Sequence, residues 1–264
     1  MIYFCISVMQ CKYWMLSFIE ILKLSAIQGV FEFLPVSSSA HLILFSKNQN
    51  LLIDLCLHLG SLLAILFFFR KDLINFNNNK KFLTKIILAT LPVIFVGYLL
   101  YITGIIYKLR SIEIIAWTTL IFGIILYISD KQKITKKIEK NFQNKPAIII
   151  GIFQILSLIP GVSRSGITIT AGRFLGFSRT DASKISFFLA IPTLMASSIL
   201  GIYDLSQERN NELNIMALIS VIFSFIFAYL TIKFFLNYIK KFSLTIFVIY
   251  RLLISFILIY FIYL

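Results

Sequence analysis

The stretch Gln28-Gly-Val-Phe-Glu32-Phe-Leu-Pro35-Val-Ser37-Ser38-Ser39-Ala-His41 lies between Leu16 to Ile27 and Leu42 to Phe45, where hydrocarbon is the expected solvent. A glutamate, three serines and a histidine at that depth each cost several kcal/mol unless they face a cavity or one another. So costly a cluster implies a site.

A second polar loop, Pro160-Gly161-Val162-Ser163-Arg164-Ser165-Gly166, is enclosed in the same way by Ile148 to Ile159 and Ile167 to Ile169. Aligning the prolines pairs Phe33-Leu34-Pro35-Val36-Ser37-Ser38 with Leu158-Ile159-Pro160-Gly161-Val162-Ser163. That echo, about half the chain apart, is what a membrane protein built from two repeats would carry. One loop brings an acid and an imidazole; the other brings a guanidinium.

Outward from the loops, the chain is too apolar for a soluble domain, with 264 residues of which 59% are hydrophobic and a mean hydropathy of +0.92. It reads as a single integral-membrane domain over residues 1–264, all-α and polytopic. A formal net charge of +14 would suggest nucleic acid in a soluble protein. Here Lys and Arg gather in a few short loops, as membrane orientation requires, and nucleic acid is not an expected partner. Cys5, Cys11 and Cys56 are scattered, lack metal-ligand spacing and read as apolar filler. Met1 to Gln10 has no basic start and no small-residue cleavage site, so it reads as an extension or the start of a membrane segment, with Met9 and Met15 as alternative starts.

Six apolar stretches reach the roughly 17 to 25 residues that cross a bilayer: 51 to 69, 86 to 106, 112 to 129, 186 to 203, 214 to 236 and 243 to 264. If the loop holding Arg70, Lys71, Lys80, Lys81 and Lys85 is cytoplasmic, alternation also places inside the run from Lys131 to Lys145 and the pair Lys240 and Lys241. The outer loops then hold Lys47, then Lys108 and Arg110, then Arg209 beside Asp204, Glu208 and Glu212. By this count residues 146 to 184 enter and leave on one side, and residues 13 to 45 do the same from the other. The expected fold is an inverted repeat, approximately 13–129 and 146–264, each half one re-entrant helical hairpin plus three transmembrane helices.

Pro35 and Pro160 break the hairpins near their tips, and Ser37 to Ser39 and Ser163 to Ser165 suit the N-caps of the returning helices. Helix N-termini at membrane depth attract anions. The plainer alternative, a proline-kinked span whose serines bond back to the preceding turn, explains the serines but not Glu32, His41 and Arg164 together.

Gln28 and Glu32 stand four apart on one helix face and can reach one cavity. Glu32 can hold a divalent cation, act as a base, or pair with Arg164. His41 can take a proton or attack as a nucleophile. Arg164 is a planar, permanent charge flanked by Ser163, Ser165 and two glycines, as a phosphate clamp requires. Anionic phosphate is the ligand class these residues imply.

With these motifs the chain resembles the bacterial undecaprenyl-diphosphatases over nearly its whole length. Gln28 and Glu32 match the family's acidic signature of Glu or Gln, three residues, then Glu; Pro35 to Ser38 with His41 follow it; Pro160 to Gly166 match its Pro-Gly-x-Ser-Arg-Ser-Gly. Gly172, Phe174 to Gly176 and Phe187 to Pro192 extend the likeness. Ala40 stands where glycine is usual, and Gln28 takes the option that cannot ionise. The resemblance implies hydrolysis of undecaprenyl diphosphate to the monophosphate and inorganic phosphate, recycling the lipid carrier of cell-wall synthesis, with tolerance of bacitracin. It implies a multi-pass protein of the bacterial plasma (inner) membrane with its active site facing outward, the bilayer and the substrate as partners, and a homodimer as an allowed assembly. Glu32 would then hold a divalent cation, Mg²⁺ or in its place Ca²⁺, with Gln28 as a second donor. Arg164, Ser163, Ser165, Ser37, Ser39 and the hairpin N-termini would hold the diphosphate, and His41 or Ser38 would attack or activate water. The competing function is a transporter or flippase of lipid-linked phosphate, because inverted hairpins are transporter architecture.

Other polar residues have plainer readings. Asp54 and His58, four apart, are either metal ligands or a polar pair at the membrane interface, and the second reading is preferred. Arg173, Arg179 and Lys184 mark the cytoplasmic end of the second hairpin, with lipid phosphate as an alternative contact.

Overall fold

The structure is a computed structural model that describes residues 18–45, 51–74, 76–207 and 210–263. Cys5, Cys11, Met15 and the rest of the N-terminal extension, with Lys47, Glu208 and Arg209 of the expected outer loops, lie outside the described residues. Helices α1 (Phe18–Phe31) and α2 (Ser38–Phe45) flank the first polar tip, followed by α3 (Leu51–Phe68), the short α4 (Arg70–Ile74), α5 (Phe76–Ile102), the short α6 (Ile105–Lys108) and α7 (Ile112–Asp130). After the short α8 (Ile138–Asn141), α9 (Asn144–Ile155) runs into a 3₁₀ turn, Leu156–Leu158, and α10 (Arg164–Phe174) begins beyond the second tip. The long helices α11 (Arg179–Gln207), α12 (Asn211–Ile239) and α13 (Thr245–Tyr263) complete the chain. The protein is thus an all-α polytopic membrane protein, and each half reads as a broken helix pair followed by long helices.

Lys80–Leu100, Ile112–Asp130, Arg179–Ile199, Leu213–Ile239 and Thr245–Tyr263 are long and apolar enough to cross a membrane. The sixth expected span, 51 to 69, corresponds to the apolar 18-residue helix α3, Leu51–Phe68. This helix carries Asp54, His58 and Ser61 and packs between α11 and α12. Helix α11 starts seven residues before the expected 186 because its polar first turns, Arg179-Thr-Asp-Ala-Ser-Lys, are invisible to hydropathy. Ser178 caps it, accepting from the Asp181 N–H at 3.0 Å.

Helix α12 packs against α1 and α3, α5 against α9, α3 against α11 and α7 against α13. Close approach rests on small residues: a Cβ on Gly29 would strike Phe227 and Ala228 of α12, and one on Gly151 would strike the Ala89 backbone of α5. Hydroxyls bridge the same seams, the Ser224 Oγ donating to the Leu57 carbonyl at 2.6 Å. A broad aromatic core that includes Phe33, Phe69, Phe187, Phe188 and Phe235 lies beneath the first tip.

Asp130, at the end of α7, is the fold's buried staple. It receives Arg179 through both carboxylate oxygens at 2.6 and 3.0 Å, the Leu244 N–H at 3.1 Å, and Arg173 at 3.6 Å. Lys184 pairs with Asp72 at 3.4 Å. Arg173, Arg179 and Lys184 are thus each held against an acid of the protein itself.

Candidate active site

The two tips share a local geometry that the sequence alignment misplaced by one residue. Ser37 and Ser163 have positive φ, 77° and 71°, a conformation costing roughly 1–3 kcal/mol that persists where surroundings over-determine it. The Ser163 hydroxyl accepts the Gly166 N–H at 3.1 Å, and the Ser37 hydroxyl accepts the Ala40 N–H at 3.4 Å. Each cap also bonds the hydroxyl two residues on, Ser39 at 3.3 Å and Ser165 at 3.2 Å. Val36-Ser37-Ser38-Ser39 therefore matches Val162-Ser163-Arg164-Ser165, and Pro35 falls opposite Gly161. The capping geometry sets this register, and Gly161, at φ 91° and packed on Thr118 and Ile115, absorbs the extra residue.

This register places Ser38 opposite Arg164, with Glu32 between them. An Arg164 terminal nitrogen donates to Glu32 Oε1 at 2.6 Å, while Ser38 Oγ and Gln28 Nε2 donate to Oε2 at 2.7 and 3.0 Å. The other terminal nitrogen of Arg164 donates to the Ser186 carbonyl at 3.1 Å. The side chains of Arg164 and Glu32 are 12% and 9% exposed, so the pair sits where Coulombic forces are weakly screened. The hydroxyl of Ser165 donates to the Leu34 carbonyl at 2.7 Å and ties one tip to the other.

Between the tips opens a cavity of about 220 Å³. Glu32, Ser37, Ser38, Ser39, Ser163 and Arg164 line it, all of them expected from the sequence, and Ser157 with Thr193 and Ser197 of α11 extend its polar wall. Gln28 lies behind Glu32 and Ser165 beneath the second tip. His41 is not brought to the cavity. Its Nδ1–H donates to the Ser37 carbonyl and its Nε2 accepts from the Tyr250 hydroxyl, each at 2.7 Å, and the ring lies 4.2 Å from that of Phe31. The neutral tautomer is thereby satisfied at both nitrogens.

Two further residues stand at the tips where the sequence reading does not place them. His58 lines the cavity, with its Nδ1–H given to the Asp54 backbone carbonyl at 2.6 Å. The sequence groups it with Asp54 as metal ligands or an interfacial polar pair, without placing it at this cavity. The second is Arg251 of α13, fully buried against the backbones of both tips. A basic or imidazole side chain inside an apolar helix is itself the signal that could have found them.

Gln28 Oε1 is buried beside Glu32 without a partner. With the Glu32 carboxylate and the Ser38 hydroxyl it forms a hard-oxygen foothold of the kind Mg²⁺ takes when substrate phosphates and water complete its shell. Among the described residues no three His, Cys, Asp or Glu side chains form a metal cluster.

The family model of the bacitracin resistance protein BacA matches residues 21–257, a span that contains both tips and the cavity. The chain is 54% identical over 251 residues to an undecaprenyl-diphosphatase of Pelagibacter ubique (strain HTCC1062), covering 93% of this chain and 98% of that one. It is 35% identical over 263 residues to an undecaprenyl-diphosphatase of Ruegeria sp. (strain TM1040), covering 93% and 98%. It is 39% identical over 252 residues to one of Saccharophagus degradans (strain 2-40), covering 88% and 93%.

Proposed function

This chain belongs to the family of the bacitracin resistance protein BacA, and from that membership we propose that the cavity between its tips hydrolyses undecaprenyl diphosphate to undecaprenyl phosphate and inorganic phosphate. The protein is an undecaprenyl-diphosphatase, an integral-membrane hydrolase of a phosphoric anhydride. The observation that carries the reading is the meeting of Glu32 and Arg164, 132 residues apart, at 2.6 Å in a cavity walled by serines.

The serine-capped N-termini of α2 and α10 point backbone N–H groups and positive dipole ends at this space, which suits the anionic diphosphate. When phosphate enters, the Arg164 fork exchanges the Glu32 carboxylate for equatorial phosphate oxygens, a bidentate match that lysine cannot make. The released carboxylate then serves as base. Ser38 is the better-placed nucleophile, because its hydroxyl already donates to Glu32 Oε2 at 2.7 Å whereas both nitrogens of His41 are engaged elsewhere. Ser38 Oγ attacks the terminal phosphorus, its proton passes to Glu32, and the bridging P–O bond breaks to release undecaprenyl phosphate. Water then cleaves the phosphoserine and regenerates Ser38. Mg²⁺, with Ca²⁺ as its substitute, would be held by Glu32 and Gln28 and supply the charge neutralisation that a single arginine cannot.

We place the chain in the bacterial plasma membrane with the basic loops inside and the cavity open to the outside, supported by the charge asymmetry of the loops. The exchange of contacts between halves, α1 on α12 and α9 on α5, supports the inverted repeat over 13–129 and 146–264. The test is release of inorganic phosphate from undecaprenyl diphosphate by purified protein in detergent, where translocation has no meaning. A protein silent there but active in moving lipid phosphate across vesicles would be a transporter, and the present reading would fall.

A further inference from the structure

Arg251 stands in an otherwise apolar helix and is 0% exposed. Its guanidinium reaches four backbone carbonyls. Nε donates to Thr119 at 3.3 Å, one terminal nitrogen to Pro35 at 3.2 Å and Val162 at 3.0 Å, and the other to Gly161 at 2.9 Å. Pro35 belongs to the first tip, Gly161 and Val162 to the second, and Thr119 to α7. Among the described residues no carboxylate pairs with Arg251.

A guanidinium at membrane depth is costly, and carbonyl dipoles offset its charge only in part. Packing alone would be met more cheaply by an apolar side chain. The partners indicate what the charge serves. Three of the four carbonyls lie one or two residues before the serine caps, and a planar fork fixes their spacing, hence the position of each tip relative to the other. A Cβ on Gly166, whose N–H caps on Ser163, would stand 3.1 Å from Ser163 Cβ and 3.2 Å from an Arg251 terminal nitrogen. The guanidinium therefore lies directly under the N-terminus of α10, where an uncancelled positive charge adds to the field that draws an anion.

We infer that Arg251 is a positioning residue for diphosphate hydrolysis: it locks the two serine-capped tips into one register and lends its charge to the phosphate-binding cavity. The inference rests on the phosphatase reading above.

Three variants of the full chain test it, each purified in detergent, with kcat, KM and thermal midpoint measured per folded molecule. Arg251→Lys keeps the charge but cannot span four carbonyls; kcat should fall about 10- to 100-fold with KM within about threefold of wild type. Arg251→Gln loses the charge as well, so KM should rise about tenfold in addition. Gly123→Ala perturbs the guanidinium without removing it, since the new Cβ would stand 3.3 Å from Arg251 Cβ and 3.5 Å from its Nε. Alanine is also the better helix former, so kcat should drop a few-fold with no fall in midpoint. The inference is overturned if Arg251→Lys and Gly123→Ala keep wild-type kcat and KM, or if lost activity merely follows lost folded protein. Should the Arg251 variants not fold, Gly123→Ala decides alone. Wild-type protein that releases no phosphate in this assay would sink the functional reading instead.

Discussion

Glu32 and Arg164 form a 2.6 Å ion pair that joins the two polar tips, one from each half of the chain. Each is the other's charge partner across the cavity, and in the proposed mechanism each changes partner when phosphate is clamped. On the mechanism proposed above, the pair is a preorganised resting state. It keeps a carboxylate and a guanidinium solvated by each other at a depth where either alone would be expensive.

That exchange separates a clamp from a simple counter-ion. Arg164→Lys keeps the charge and loses the fork, so turnover should fall about 30- to 1000-fold, equivalent to about 2 to 4 kcal/mol, with the protein still folded. The double variant Arg164→Leu with Glu32→Leu should recover stability relative to either single change yet remain inactive. Turnover and thermal midpoints measured together decide it, and near wild-type turnover in Arg164→Lys would refute the clamp.

Gln28 offers an oxygen with no partner beside the Glu32 carboxylate. Chelation should abolish phosphate release and Mg²⁺ should restore it, because a diphosphate in a low-dielectric cavity needs more positive charge than one arginine carries. Gln28→Leu should raise the Mg²⁺ concentration needed for half activity, and Glu32→Gln should nearly abolish turnover at any concentration. Titration of both variants with metal is the check. Full activity of Glu32→Gln at an unchanged metal requirement would return Glu32 to a structural role.

Much of this was legible in the sequence, for identifiable reasons. Hydropathy shows where hydrocarbon must be, so the long helices and the two polar tips stand out, as do Glu32, Ser38 and Arg164 within them. The one-residue register of the tips was not legible, because proline is the conspicuous residue and the serine cap is the one that fixes geometry. Arg251 was missed because it is a lone polar residue in an apolar run, and His58 was grouped with Asp54, four residues before it, instead of with the cavity. The partners of Arg251 at Pro35 and Gly161 lie 216 and 90 residues away and exist only in the fold. The surroundings of His41 were not legible either: it follows the serines in sequence, and α2 turns it towards Phe31 and Tyr250.

Ser38 and His41 can be told apart. Ser38→Ala should remove most turnover, since the hydroxyl that donates to Glu32 is lost. Tyr250→Phe leaves His41 Nε2 without its donor, which should cost about 1–3 kcal/mol of stability while changing turnover per folded molecule far less. Acid-quenched protein given substrate labelled in its terminal phosphate should carry label on Ser38. Label on His41, or a larger turnover loss in Tyr250→Phe than in Ser38→Ala, would reverse the assignment.

The two tips can meet from opposite faces of the bilayer only if the halves are inverted, and that arrangement has a direct consequence for labelling. Lys137 sits in a run of exposed basic residues, and Asn210 is an exposed residue between α11 and α12. Positive charge favours the cytoplasmic side, so Lys137 belongs inside, and α11, crossing once, carries Asn210 outside. Single cysteines at the two positions, in a chain with Cys5, Cys11 and Cys56 replaced, should react with an impermeant maleimide from opposite sides of the membrane. Reaction from the same side would mean either that α9 and α10 cross together as one proline-kinked span or that α11 does not cross. The two halves would then not be inverted, and the ion pair between Glu32 and Arg164 would need another explanation than two hairpins meeting at mid-membrane.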